Sequence, residues 1–210
     1  MTLIDKKYIC DQLNINFYEV YNIYCYGSKV YGTNNESSDD DYIIIKKQPE
    51  FKIDSIRNNS NTINATLYNL GGFKDKLFYQ EINALECVWL KDNMKLEKFN
   101  ITKDYKLRKN ELRKSISSKA SNSWVGSKKK FWNDDTYRAQ KSVFHSLRIF
   151  DFGIQISKYG KIINYEKSIF LNEDFKSILK EIMKYKKWSD IKKNYQNIFN
   201  RFHSEFKLNF

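Results

Sequence analysis

The sequence predicts an α+β protein, strands with flanking helices over residues 1–100 followed by a helical domain over 101–210. Three observations carry this. Short apolar runs rich in β-branched and aromatic residues recur over 21–26, 42–45 and 62–68. A Gly27-Ser28 turn separates the first two. From about residue 101 onward the apolar residues recur at helical period.

In chain order, the spacing predicts a helix from about Lys6 to Asn16, a strand over 21–26, the turn, and a strand over 41–47. Asn58-Asn59-Ser60-Asn61 is polar enough to be a loop before a strand over 62–68. Gly71-Gly72 opens an amphipathic segment with Phe73, Leu77 and Phe78 on one face, and Ile82, Leu85, Val88 and Trp89 mark another helix. Helices are then expected over 104–118, 135–158, 172–184 and 188–207, with Gly160 and polar loops as punctuation. With no repeat or flexible linker evident, the halves are expected to pack with the site between them.

The turn and the second strand carry the chemistry. Gly27 lets the backbone approach a ligand without a Cβ in the way, Ser28 offers a hydroxyl and an amide, and a short helix over Lys29 to Thr33 would favour an anion at its start. Asp39 and Asp41 are two apart, so on an extended chain they face one side while Asp40 faces the other. Same-side carboxylates can share a divalent cation, and two such ions form the usual clamp for in-line displacement at phosphorus. Magnesium suits carboxylate and phosphate oxygens. A Gly-Ser turn alone, or a Ser-Ser-Asp-Asp-Asp run alone, is more often a solvated loop or cap. Their conjunction ahead of an aliphatic strand favours function.

The pattern Gly27-Ser28-x-x-Tyr31-Gly32-Thr33-x-x-x-x-Ser38-Asp39-x-Asp41-Tyr42 resembles the signature of the DNA polymerase β-type nucleotidyltransferase superfamily. Within it, the chain is most similar to a predicted nucleotidyltransferase group of phages and bacteria, sometimes encoded beside RNA ligases. Asn64 to Leu70, Phe73 to Phe78, Ala84-Leu85-Glu86 and His145-Ser146-Leu147-Arg148 follow in the order of that group's later elements. The resemblance implies a polymerase β-like mixed sheet with flanking helices, and transfer of a nucleoside monophosphate from a triphosphate such as ATP to a hydroxyl of an acceptor, expected to be RNA and tRNA-like, with two magnesium ions. It implies Asp39 and Asp41 as catalytic metal ligands and Gly27, Ser28, Thr33 and Ser38 as nucleotide-binding residues. The third carboxylate of the family falls on Asn64, whose amide oxygen can ligate a metal but cannot take a proton. A displaced alignment, a natural variant with weakened chemistry and an inactivating change all stay open. So do a catalytically weakened nucleotide-binding module and nucleotidylation of a protein or small molecule.

On the helix over 135–158, Lys141, His145 and Arg148 lie at i, i+4 and i+7 and are expected to hold a triphosphate tail, against the plainer reading of a polar stripe. Lys128, Lys129 and Lys130 are weaker candidates for the same role, and Glu86 is expected to be structural. The net charge of +12 in 210 residues favours polyanionic partners. A lysine-rich, proline-poor composition also arises from an AT-rich genome, so the clustering of Lys and Arg over 103–119, 128–130 and 184–193 is more telling. Trp188 is expected in the core, with Trp124 and Trp132 left between core and base-stacking roles. Cys10, Cys25 and Cys87 lack disulfide or zinc spacing and read as reduced thiols. With no bilayer-length apolar run and no signal-peptide layout, the protein is expected to be cytoplasmic and off the membrane.

Overall fold

A computed structural model describes residues 5–47, 56–59, 62–100, 103 and 105–210. Helix α1 (Lys6–Leu13) starts at Asp5, whose side chain accepts from the Tyr8 amide, and stops at Asn14, which adopts the left-handed conformation at φ 51°. The helix is therefore shorter than the expected Lys6 to Asn16. Its Ile9, Cys10 and Leu13 are buried against Val20, Ile23, Tyr42, Ile44, Ile63 and Ala65 of the sheet.

Among the described residues the main sheet has five strands, β1 (Val20–Tyr26), β2 (Asp40–Lys46), β3 (Ile56–Asn59), β4 (Ile63–Asn69) and β5 (Lys95–Glu97), in the order β3-β4-β2-β1-β5. The β2–β4 pair is parallel and the others are antiparallel, so the sheet is mixed and the protein is α+β. Ile43, Ile44 and Ile45 are all buried, as a strand covered on both faces requires. Asn58 and Asn59, expected in a loop, belong to β3, while Ser60 and Asn61 lie outside the described residues. Polar residues can form such a strand because it pairs along β4 at the end of the strand order.

Helix α2 (Leu70–Phe78) follows β4 directly, and Asn69 caps it by accepting from the Gly72 amide at 2.6 Å. Phe73 stacks on Tyr24 at 6.1 Å between centroids and meets Tyr68 edge-on, covering the face opposite α1. Helix α3 (Ile82–Val88) is almost wholly buried, Glu86 included. Strand β5 has no apolar run to announce it; buried Asn22 fastens the chain beyond it, donating to the Phe99 carbonyl and accepting from the Lys98 and Phe99 amides.

The helical part comprises α4 (Lys109–Trp132), α5 (Thr136–Tyr159), α6 (Phe175–Ile182) and α7 (Trp188–Lys207), with two short paired strands, β6 (Lys167–Ser168) and β7 (Glu173–Asp174), before α6. The helix expected to close at 118 runs on to Trp132. Its buried residues Leu112, Ile116, Ala120, Trp124, Ser127 and Phe131 keep one face through a serine-rich stretch that has no breaker. Gly153 of α5 sits where an added Cβ would be 2.7 Å from Ile116 and 2.9 Å from Phe206, so α5 is packed tightly against both neighbouring helices. Phe150, Phe199 and Phe206 complete this core.

Buried Asp151 accepts from the Ser168 hydroxyl at 2.6 Å, the Phe170 amide and the Gln155 amide, and Gln155 in turn accepts from the Ile163 and Asn164 amides. Burial pushes the Asp151 carboxyl above its usual range despite these bonds. The network serves structure: it ties the segment after α5 back to that helix. Among the described residues no helix is long and apolar enough to cross a membrane.

Backbone contacts divide the chain into two compact units, Met1–Val30 with Asn34–Lys106, and Tyr31–Thr33 with Leu107–Phe210. The short segment Tyr31–Thr33 thus packs with the helices.

Candidate functional site

Strand β1 ends at Tyr26, opposite Asp41 of β2. Gly27 then turns the chain at φ +76° into a single 3-10 turn over Gly27–Lys29, closed by the Val30 amide on the Gly27 carbonyl at 3.0 Å. A Cβ at Gly27 would fall 2.2 Å from Oδ2 of Asp41. The carboxylate occupies the space that a side chain would fill, so glycine is required both for the backbone angle and for the close approach.

The parallel pairing of β2 with β4 sets Asn64 beside Asp41. Asn64 Nδ2 donates to Asp39 Oδ2 at 3.0 Å, so Asp39, Asp41 and Asn64 stand together at one corner of the sheet. Asp40, between the two, forms an ion pair with Lys29 instead. Ser38 is engaged in its own loop: its hydroxyl donates to Asn35 Oδ1 and accepts from the Asn35 amide, both at 3.0 Å. Ser28 is half-buried in the turn.

Among the described residues no group of three or more His, Cys, Asp or Glu side chains is placed to hold a metal ion. The corner offers two carboxylates and one amide. The two carboxylates fit a hard cation such as magnesium that keeps waters or phosphate oxygens in its remaining positions. In the arrangement present, the Asn64 amide directs its nitrogen at Asp39, and a half-turn of the amide would offer oxygen. Burial and the neighbouring Asp40 push the Cys25 thiol up to about 11, so in the metal-free protein it is protonated at neutral pH.

Thr33 lies with the second unit, as do Lys141, His145 and Arg148. Arg148 is 3% exposed, and its guanidinium stacks 3.8 Å above the Tyr31 ring, with Phe152 on a further side. His145 meets the edge of Tyr31, and its Nδ1 is shut off from solvent with no hydrogen-bond partner among the described residues. Burial, then the charges of Arg148, Lys141 and Lys130, push its imidazole down to about 3, so it is neutral at physiological pH. Lys130 reaches the same neighbourhood from α4, donating to the Ser142 hydroxyl at 2.5 Å, and Lys141 lies over the Tyr137 ring.

Two features had no counterpart in the sequence reading. Ser142 is a polar partner for Lys130, and Tyr31, a motif residue assigned no role there, is the platform for Arg148. The aromatic at Tyr31 beside a helical His-x-x-Arg was the signal available for the second.

No family model matches the chain, and no curated protein sequence matches it. Among solved structures, a nucleotidyltransferase-like protein from Exiguobacterium sibiricum 255-15 aligns with 14% identity and a TM-score of 0.30. The alignment covers 90% of this chain and 66% of that one.

Proposed function

We propose that this protein is a magnesium-dependent nucleotidyltransferase that moves a nucleoside monophosphate from a nucleoside triphosphate such as ATP to a hydroxyl of an RNA acceptor in the cytoplasm. The observation that carries this reading is the convergence of Asp39, Asp41 and Asn64 beside the Gly27 turn. Asp39 and Asp41 would hold the metal with Asn64 as a neutral third donor, and bound magnesium would steady the charge of the reacting phosphates. Ser28 and the Gly27 turn would receive the β- and γ-phosphates, with Thr33 and Ser38 flanking them. Lys141, His145 and Arg148, joined by Lys130, would supply positive potential for the triphosphate tail. Residues 1–100 would be the catalytic domain and 101–210 its helical partner.

In the reaction the acceptor oxygen bonds to the α-phosphorus, the bond to the β-phosphate oxygen breaks, and pyrophosphate leaves. Asn64 cannot accept the hydroxyl proton that a carboxylate in its place could take. That single fact favours a second reading, a nucleotide-binding module with weakened chemistry. Incubation with each labelled triphosphate, total RNA and magnesium tests both. Label in RNA supports the transferase, label in protein or a small molecule redirects the acceptor, and magnesium-dependent binding without pyrophosphate release supports the module.

A further inference from the structure

Helix α4 carries a single acidic residue, Glu111 in its first turn, which pairs with Lys114 at 3.4 Å, and is basic beyond it. From Leu112 to Asn133 the chain contains no Asp or Glu, while Arg113, Lys114, Lys119 and Lys128 to Lys130 all fall in this stretch. One face of the helix is buried and the opposite one is open. Lys114, Ser118, Asn122, Val125, Lys129 and Trp132 are exposed and follow one another at helical spacing along that open face.

Two of them are apolar and strongly exposed, Val125 at 66% and Trp132 at 69%. The other tryptophans pack on rings: Trp89 on Tyr105, Trp124 on Phe199 and Trp188 on Trp124. Trp132 packs on no ring among the described residues, and the Lys128 ammonium lies over one face at 4.5 Å. An exposed contact of this kind is weak, so Lys128 can leave the ring for a phosphate. A large flat ring held in water beside Lys128 and Lys129, with hydroxyl and amide donors along the same stripe, suits bases and phosphates rather than an apolar protein partner.

We propose that the open face of α4 binds single-stranded nucleic acid, Trp132 stacking on a base while Lys114, Lys128 and Lys129 contact phosphates. This deepens the reading of RNA as the acceptor and rests on it for its purpose, although binding itself requires no transfer.

The test is fluorescence anisotropy of a labelled single-stranded oligoribonucleotide titrated with the full chain across a salt series. Wild-type protein should bind, with affinity falling as salt rises. Trp132→Ala should weaken binding at least about 5-fold, the lower end of what one stacked base contributes, and Trp132→Phe should restore most of it. The Lys128→Ala/Lys129→Ala pair should reduce the salt slope by about 1.4, at roughly 0.7 for each phosphate contact of a single strand. Asp39→Asn/Asp41→Asn should bind the oligonucleotide normally, whatever its effect on triphosphate, which separates this surface from the proposed catalytic corner. Absence of wild-type binding, unchanged affinity in Trp132→Ala, or loss of binding in the Asp39/Asp41 variant would each overturn the proposal.

Discussion

Gly27 and Asp41 share one small volume, so neither can change alone. In Gly27→Ala a methyl group would lie 2.2 Å from the Asp41 carboxylate on a backbone held at φ +76°, and the carboxylate has to move. The expected result is loss of magnesium-dependent triphosphate binding with the fold retained, measured by calorimetric titration beside circular dichroism; unchanged affinity would remove Asp41 from the site. Asn64→Asp works in the other direction. It places a third carboxylate next to Asp39, where the amide now donates a hydrogen bond at 3.0 Å. Without metal the added charge should lower the melting temperature, and magnesium should restore it by satisfying the repulsion. Pyrophosphate release should rise by about 10²–10⁴-fold if the new group accepts the hydroxyl proton. An aspartate form that is no faster and shows no magnesium rescue would show that Asn64 is not a ligand position. The two-residue period of a strand made the shared side of Asp39 and Asp41 legible in the sequence. Asn64 was reached only through the family resemblance, because its place depends on a parallel register between distant strands that no local pattern records.

The helices show the same division between local and distant causes. Gly160 marked the close of α5 in the sequence, and Asp135 caps the start of that helix. The length of α4 was missed because Ser115 to Ser127 resembles a loop in composition, whereas its buried face against α5 and α7 decides the matter. Glycines within these helices make the distinction measurable. An added methyl at Gly126 meets nothing within 4 Å, so Gly126→Ala should stabilise by about 0.5–1 kcal/mol through helix propensity. Gly153→Ala drives a methyl into Ile116 and Phe206 and should destabilise by about 1–3 kcal/mol. Urea denaturation of the two variants should move the midpoint in opposite directions, and a common direction would refute the packing described. His145 adds a pH dependence. Folded, it takes up a proton only near pH 3, whereas the unfolded imidazole does so near 6.5. Below about pH 6.5 the unfolded chain therefore binds more protons, and stability present above that value is lost as pH falls towards 3. His145→Gln should flatten the decline between pH 7 and 5; an unchanged slope would place its cause elsewhere.

At the scale of the whole chain, the mixed α+β class and the change to helices were readable from period alone, but the route of the chain was not. Tyr31–Thr33 departs from the first unit, packs with the helices, and the chain then returns at Asn34. Nothing in the local sequence distinguishes these residues from the turn that precedes them; what separates them is that Tyr31 is 1% exposed, with the Arg148 guanidinium on one face and Phe152 against its edge. Tyr31, flanked in sequence by residues of the first unit, thus belongs to the core of the second. Tyr31→Ala should leave a cavity there and destabilise by about 3–5 kcal/mol, the usual range for truncating a buried aromatic. It should also strip Arg148 of the ring that its buried charge rests on. Tyr31→Phe keeps that ring and should lose far less. Hydrogen exchange resolved along the chain is the appropriate measurement, because local opening reports which unit is affected. In Tyr31→Ala, protection should fall first over α5, around Phe144 to Phe152, while the amides of β1 and β2 keep theirs. Loss confined to the strands, with α5 unchanged, would mean that Tyr31 belongs energetically to the first unit despite its position, and that the crossing at Thr33 is a loop resting on the helices rather than a part of their core.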